Sequence, residues 1–457
     1  MTNAPILVWL RRDLRLTDHP ALYHAAGQGP VVLAFCHDDQ DGRALGGASR
    51  WWLHQSLAAL GDTVTLARGR CEAEIPRLAE ACGARAVYWN ASADPALSAT
   101  EARVRQALKI PTETFAGDEL FAIGAVRTNA GTPFQVFTPF WRAALALPPP
   151  PQPLPRPAPL VLAPCPGLPL AALELMPKLD WWRGMAELWQ PGEAGAAARL
   201  ADFLDGPVET YQRDRDLPAK PGTSLLSPHL AFGEISPRQI WHAAQALPPG
   251  DGIHTFLKEL GWREFSRHLL ARQPDLATIP LRPEFRAFPW RDDPEALRKW
   301  QMGRTGYPII DAGLRQLWQT GWMHNRVRMI VASFLIKDLL IPWQAGEEWF
   351  WDTLVDADSA NNAASWQWVA GSGADAAPFF RIFNPVTQGE KFDPDGSYVR
   401  TWVPELAHLP NAFVHQPWKM GRVPGYPPPM VDHALARTRA LAAFKGLKDD
   451  PAQHLLL

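Results

Sequence analysis

Eleven of the 46 prolines fall between residues 148 and 169. A run such as PPPPQPLPRPAP holds neither a helix, which loses a hydrogen bond at every interior proline, nor a central strand, which loses a ladder donor. The chain is thereby divided into two parts that must each bury a core of its own, and 457 residues supply enough material for both. The run itself is expected to lie extended over the surface.

Before the prolines, short apolar runs alternate with helical patterns. Residues 6–10, 31–36, 63–66 and 86–89 read as strands, and residues 49–60, 75–82 and 100–108 as helices between them. Strands separated by helices of this length imply βαβ units, so residues 1–130 are expected to form an α/β domain with a doubly wound parallel sheet. No Gly-x-Gly-x-x-Gly follows the first strand, so the common dinucleotide fingerprint is absent from it. Residues 131–195 are read as an interdomain linker. From 196 to 457 the apolar spacing becomes helical, with examples at 237–246, 254–272, 309–320, 323–340 and 347–354, and an all-α domain is expected.

Hydrophobic residues make up 47% of the chain and charged residues 20%, a balance that excludes general disorder. No run of 18 apolar residues and no cleavable leader is recognisable, so a cytoplasmic protein without membrane contact is expected. The four cysteines stand far apart, without Cys-x-x-Cys or a histidine pair at ligand spacing, and are expected to be free thiols. A formal net charge of -2 rules out a global positive field, so nucleic acid would have to meet a local patch. Residues 256–345 hold 14 Lys and Arg against 9 Asp and Glu, interleaved with some of the 21 tryptophans. Basic groups beside exposed indoles suit stacked or flipped bases, and a solvated basic face would give the same count.

Four segments carry candidate chemistry. Gly222-Thr223-Ser224-Leu225-Leu226-Ser227-Pro228 places three hydroxyls ahead of a helical region, the composition of a capped loop or of an anion cradle. Glu259, Trp262 and Arg263 share a helix face, which fits an ion pair beside a core indole, or an acid, a stacking plate and a guanidinium turned to one ligand. Over 321–340, Trp322, Asn325, Arg326 and Met329 recur opposite an apolar stripe, so one side faces a core and the other a cavity or partner. In 356–385, Asp358, Asn362 and Trp366 stack at helical spacing, with Trp368 turned away by about 200 degrees. Asp356 and Asp358 lack the further ligands of a metal pair, and no metal is expected.

RTGYPIIDAGLRQL (304–317), GWMHNRVRMIVASFLIKDLLIPWQ (321–344) and SWQWVAGSGADAAPFFRIFNPVTQGEKFDPDG (365–396) resemble the flavin domain of the photolyase and cryptochrome family. WLRRDLRLTDHPAL near the start resembles its opening strand and loop. The resemblance implies an α/β antenna domain joined by a long linker to a helical FAD-binding domain. It implies light-driven repair of cyclobutane pyrimidine dimers in UV-damaged DNA, by electron transfer from photoexcited FADH⁻ to a flipped-out dimer.

Residue roles follow from the same resemblance. Tyr211, Thr223, Ser224, Leu225, Leu226 and Ser227, with Phe256, Glu259 and Arg263, correspond to flavin contacts. So do Asn325, Arg328, Asp356, Ala357, Asp358 and Asn362, the last near flavin N5. Trp262 and Trp368 correspond to the walls of a lesion cavity, joined by Met329, Asn325 and Glu259, while Arg263, Arg326 and Gln388 correspond to DNA contacts. Glu259 would hydrogen-bond the dimer. Trp366, Trp343 and Trp300 would carry an electron from the surface to FAD. Leu225 stands where the family often has Arg, and Phe256 where it often has Trp. The antenna pigment is expected to be methenyltetrahydrofolate, with 8-hydroxy-5-deazaflavin as the alternative, against Phe35, Cys36, Arg50, Trp51 and Trp52. A monomer is expected. The rival readings are a cryptochrome photoreceptor, which shares fold and flavin, a (6-4) photolyase, for which a histidine is expected where Met329 stands, and a light-independent flavin electron carrier, which has no reason to expose Trp262 and Trp368 in a basic cavity.

Overall fold

The computed structural model describes residues 4–40, 42–376 and 380–448. Ala377, Pro378 and Phe379, inside the third resembling segment, lie outside the described residues. The first part of the chain is a five-stranded parallel sheet of β1 (Ile6–Leu10), β2 (Val31–His37), β3 (Val64–Arg68), β4 (Ala86–Asn90) and β5 (Thr112–Phe115), in the order β3-β2-β1-β4-β5. Strands β1, β2 and β4 are buried along their whole length, because helices Pro20–Ala26, Gly47–Leu60, Cys71–Ala81 and Pro95–Ala107 cover the sheet. β5 is absent from the sequence reading for a physical reason: TETF is a partly exposed edge strand and carries no apolar run.

Trp51 and Trp52, expected at an antenna pocket, belong to the core instead. They are 1% and 0% exposed, and Trp52 Nε1 donates to Glu234 Oε1 at 3.0 Å. The proline-rich run has no helix and is pinned beside the sheet, where Val31 N donates to Val161 O and Ala163 N to Val31 O. The region read as linker also contains a helix, Phe137–Leu145, which stacks Phe137 on Trp262 with ring centroids 3.8 Å apart.

The rest of the chain is helical. The 323–340 helix expected from periodicity is shorter: it runs over Asn325–Ser333, begins at a His324 cap whose Nδ1 accepts from Arg326 N, and passes into a π-helical turn at Phe334–Asp338. The two halves are joined by buried and part-buried polar contacts. Arg238 Nε donates to Asp18 Oδ2 at 3.0 Å, and Glu193 accepts from the amides of Leu16 and Thr17. The loop before Gly47–Leu60 is pressed on helix Trp343–Thr353, where a Cβ on Gly46 would stand 2.2 Å from the Trp351 carbonyl oxygen. Among the described residues no helix is long and apolar enough to cross a membrane.

Candidate active site

Helices Asp251–Leu270, Asn325–Ser333 and Ser359–Ala370 converge on a cavity of about 520 Å³. Asp358 caps the third of these, its Oδ1 accepting from Ala360 N at 3.1 Å and Asn361 N at 2.8 Å. That start presents Asn362 and Trp366, one and two turns on, to the cavity. Trp368 lines it as well, since the space wraps around the helix, so the expected angle between the two indoles does not send them to different sites. A Cβ on Gly346 would come within 2.1 Å of the Trp366 ring, so glycine is what lets this indole seat.

The polar wall is built around two carboxylates. Arg328 donates to both oxygens of Asp356, at 3.1 and 2.8 Å, and its Nε donates to the Met323 carbonyl at 2.7 Å. Ser227 Oγ donates to Asp356 Oδ2 at 2.6 Å, so one carboxylate holds the hydroxyl-rich loop against the Arg328 helix. Burial opposes ionisation of Asp358, yet Arg267 and Arg263 outweigh it and hold the carboxyl below the usual range. Arg263 is itself buried in this wall. Its Nη1 donates to the Asp118 carbonyl at 3.1 Å, while Nη2 is buried without a hydrogen-bond partner. Burial and neighbouring Arg267 lower the pKa of Arg263 against Glu264, Asp358 and Asp118, with Glu264 Oε1 3.4 Å from its Nη1, which leaves Nη2 as the unmet donor. An anion in the cavity would satisfy it, and a diphosphate beside Ser224 and Ser227 is such an anion.

At the mouth, Arg215 pairs with Glu259, and Arg326 pairs with Asp216 at 2.8 Å. Neither Arg215 nor Asp216 was singled out in the sequence; the alternating charges at 213–216 were the available signal. Glu259, Trp262, Met329 and Arg326 line the same cavity as Tyr211, Leu226, Phe256, Asn325 and Ala357.

Other expected site residues fall elsewhere. Thr223 and Leu225 lie outside the cavity wall; Leu225 adopts a left-handed backbone, φ 53°, and packs against the cluster that contains Trp52. Arg263 sits too deep to meet a DNA phosphate, which corrects its place among the DNA contacts. Gln388, on helix Pro385–Phe392, is half-buried and outside the wall. Trp300 cannot be the surface end of an electron path, because it is 0% exposed and its Nε1 is spent on the Val331 carbonyl. It touches Trp366 edge-on at 6.3 Å. Trp343 is 1% exposed in the same cluster, and partly exposed Trp290 packs against that cluster.

Residues 256–446 match the family described as the FAD binding domain of DNA photolyase, and residues 6–158 match the family described as DNA photolyase. The chain belongs to the DNA photolyase family. It is 48% identical to the deoxyribodipyrimidine photo-lyase of Agrobacterium fabrum, over 98% of this chain and 99% of the other. A solved bacterial class III photolyase from Agrobacterium tumefaciens superposes with a TM-score of 0.94 at 48% identity, covering 98% of this chain and 99% of that one. Arabidopsis thaliana cryptochrome-1 is 36% identical over 90% of this chain and 64% of its own length. The helical half of this photolyase-family chain is thus an FAD-binding domain, and the unmet Nη2 of buried Arg263 is a donor that an anionic group of the cofactor could take up.

Proposed function

We propose that this photolyase-family protein repairs cyclobutane pyrimidine dimers in UV-damaged DNA, with FAD and light. One observation carries the reading. Glu259, Trp262, Met329 and Trp368, on the lesion side, line one continuous cavity with Asn362, Arg328, Asp356 and Asp358, on the flavin side. Electron donor and acceptor would then share a single space.

The cofactor, when bound, supplies the light-driven electron. The protein's own residues do the rest. Asp356 with Arg328, Asp358, Ser227 and Arg263 would hold it. Arg326, paired with Asp216 at the mouth, would meet a phosphate there, and Trp262 and Trp368 offer faces on which extruded bases stack, worth about 1–3 kcal/mol per base. Glu259, oriented by Arg215, accepts a hydrogen bond from the dimer. Glu259→Ala is expected to lower the repair yield at least about fivefold, the loss of one charge-assisted hydrogen bond, with FAD content unchanged; an unaltered yield removes Glu259 from the mechanism. For photoreduction, the buried pair Trp366 and Trp343 needs a partly exposed outer partner, and we assign that place to Trp290 rather than Trp300.

The antenna pigment fits between the halves. A cavity of about 500 Å³ opens at the ends of β1 and β4, beside Arg11 and Asn90, where the strand order reverses direction. A smaller one of about 110 Å³ adjoins it, with Phe35, Cys36 and Arg50 in its wall. Methenyltetrahydrofolate is the expected occupant, and chromophore released from the purified protein distinguishes it from a deazaflavin by absorption and fluorescence.

The deciding experiment gives chemically reduced protein a thymine-dimer oligonucleotide under blue light, with a dark control and a (6-4) lesion alongside. Light-dependent loss of the cyclobutane dimer alone supports the proposal. No repair of either lesion by protein that holds FAD favours the cryptochrome reading.

A further inference from the structure

Asn362 is held from outside the cavity. Its Nδ2 donates to Glu347 Oε1 at 2.8 Å and to the Glu347 carbonyl at 3.0 Å. Both partners are acceptors, so the amide can only present its NH₂ to them, and Oδ1 is the end left for the cavity. Glu347 is 1% exposed on helix Trp343–Thr353. Its charge is met by a residue of the other half of the chain: one guanidinium nitrogen of Arg43 lies 2.7 and 2.8 Å from the two carboxylate oxygens. Arg43 is fixed in turn. Its guanidinium lies 4.4 Å from the Trp351 ring centroid, one helical turn beyond Glu347, and Trp351 Nε1 donates to the Ala44 carbonyl at 2.8 Å.

We propose that Arg43 is a positioning residue for the flavin site, which acts through Glu347 to keep the oxygen of Asn362 turned towards flavin N5. This rests on the FAD reading above. The Glu347 carbonyl accepts at any pH, but a carboxylate accepts only whereas a protonated carboxyl also donates, so the side chain adds its hold on the amide only while Glu347 is ionised. An oxygen facing N5 accepts from a ring that carries a proton there, which favours the reduced cofactor. Burial raises the pKa of Glu347, and Arg43 opposes that rise. Without Arg43 the carboxyl would protonate at higher pH.

The other ionisable groups near Glu347 are engaged elsewhere or share its sign. On its own helix Glu348 repels it, and Asp352 accepts from Gly47 N. From the packed neighbours, Asp358 faces Arg267 at 3.7 Å, Lys337 donates to the Ala370 carbonyl, Asp338 meets His433, and Arg50 donates to the Glu174 carbonyl. His54, on helix Gly47–Leu60, is held towards its neutral form by burial.

The test is the midpoint potential of bound FAD against pH, measured without DNA in wild type, Arg43→Met, Arg43→Lys and Glu347→Gln. Arg43→Met should make reduction less favourable by about tenfold, about 30 mV for a two-electron couple. It should also introduce an inflection from Glu347, with the potential returning towards wild type as pH rises through it. Arg43→Lys should restore most of the wild-type profile. Glu347→Gln should lower the potential without that inflection, and adding Arg43→Met to it should change nothing further. A profile for Arg43→Met identical to wild type overturns the proposal, as does a uniform shift without the inflection. A wild-type protein that binds no FAD overturns the underlying reading instead.

Discussion

Replacing Trp366 by phenylalanine is expected to slow photoreduction of bound FAD at least about tenfold, a barrier increase of about 1.4 kcal/mol or more, while repair by chemically pre-reduced protein persists. Trp366 is 2% exposed, lines the cavity and rests against Phe350 at 5.0 Å and Trp300 at 6.3 Å. Phenylalanine fills most of the same seat above Gly346 but is far harder to oxidise than indole, so the change removes an electron source rather than a wall. The comparison with Trp300→Phe and Trp290→Phe separates path from packing. Trp290→Phe should slow photoreduction and Trp300→Phe should not, as only the former reaches solvent. The measurement is the rate of flavin bleaching under blue light with an external reductant. An unchanged rate for Trp366→Phe removes it from the path, and a loss confined to Trp300→Phe returns the outer place to a buried residue.

The largest effect on stability is expected at Asp311, inside the segment RTGYPIIDAGLRQL. Its carboxylate is 0% exposed and accepts from Thr305 N and Thr305 Oγ1 at 2.7 Å, Gly306 N at 3.0 Å and Tyr426 Oη at 2.6 Å. It thereby ties helix Pro308–Thr320, the turn before it and a C-terminal segment to one point. Gly306, with φ 79°, has the Pro428 carbonyl where a Cβ would be, so the turn has no room to relax. Asp311→Ala orphans four donors at about 1–3 kcal/mol each, a loss of about 4 kcal/mol or more. Urea denaturation should show the helical half unfolding at markedly lower concentration, with Asp311→Asn intermediate. Burial raises the pKa of Asp311 above its unfolded value, so its contribution is full in acid and declines as pH rises through the raised value. The Asn variant should lack that slope. A midpoint within experimental error of wild type for Asp311→Ala would show that the turn is held by packing alone.

The sheet and the helices were legible in the sequence because burial imposes period: apolar runs of strand length for β1, β2 and β4, and 3.6-residue spacing along the cavity helices. β5 was not, since an edge strand needs no apolar side chains. Most of the expected flavin contacts were legible as a resemblance, and they converge on one cavity because three helices each carry their polar residues on the face turned inward. Leu225 has a left-handed backbone and lies outside the cavity wall while its neighbours Ser224 and Leu226 line it, a difference that sequence spacing does not carry.

What the sequence by itself determined is therefore the architecture, from local spacing, and the family with the chemical types at the site, from the resemblance of whole segments. Tertiary structure alone decided which tryptophans reach solvent and which partners charge-balance each buried group. Trp300 and Trp290 differ by burial, and Arg43 meets Glu347 across 304 residues of chain. Exposure and ion pairing depend on what other elements bring to a point, and no residue carries that information in its own neighbourhood.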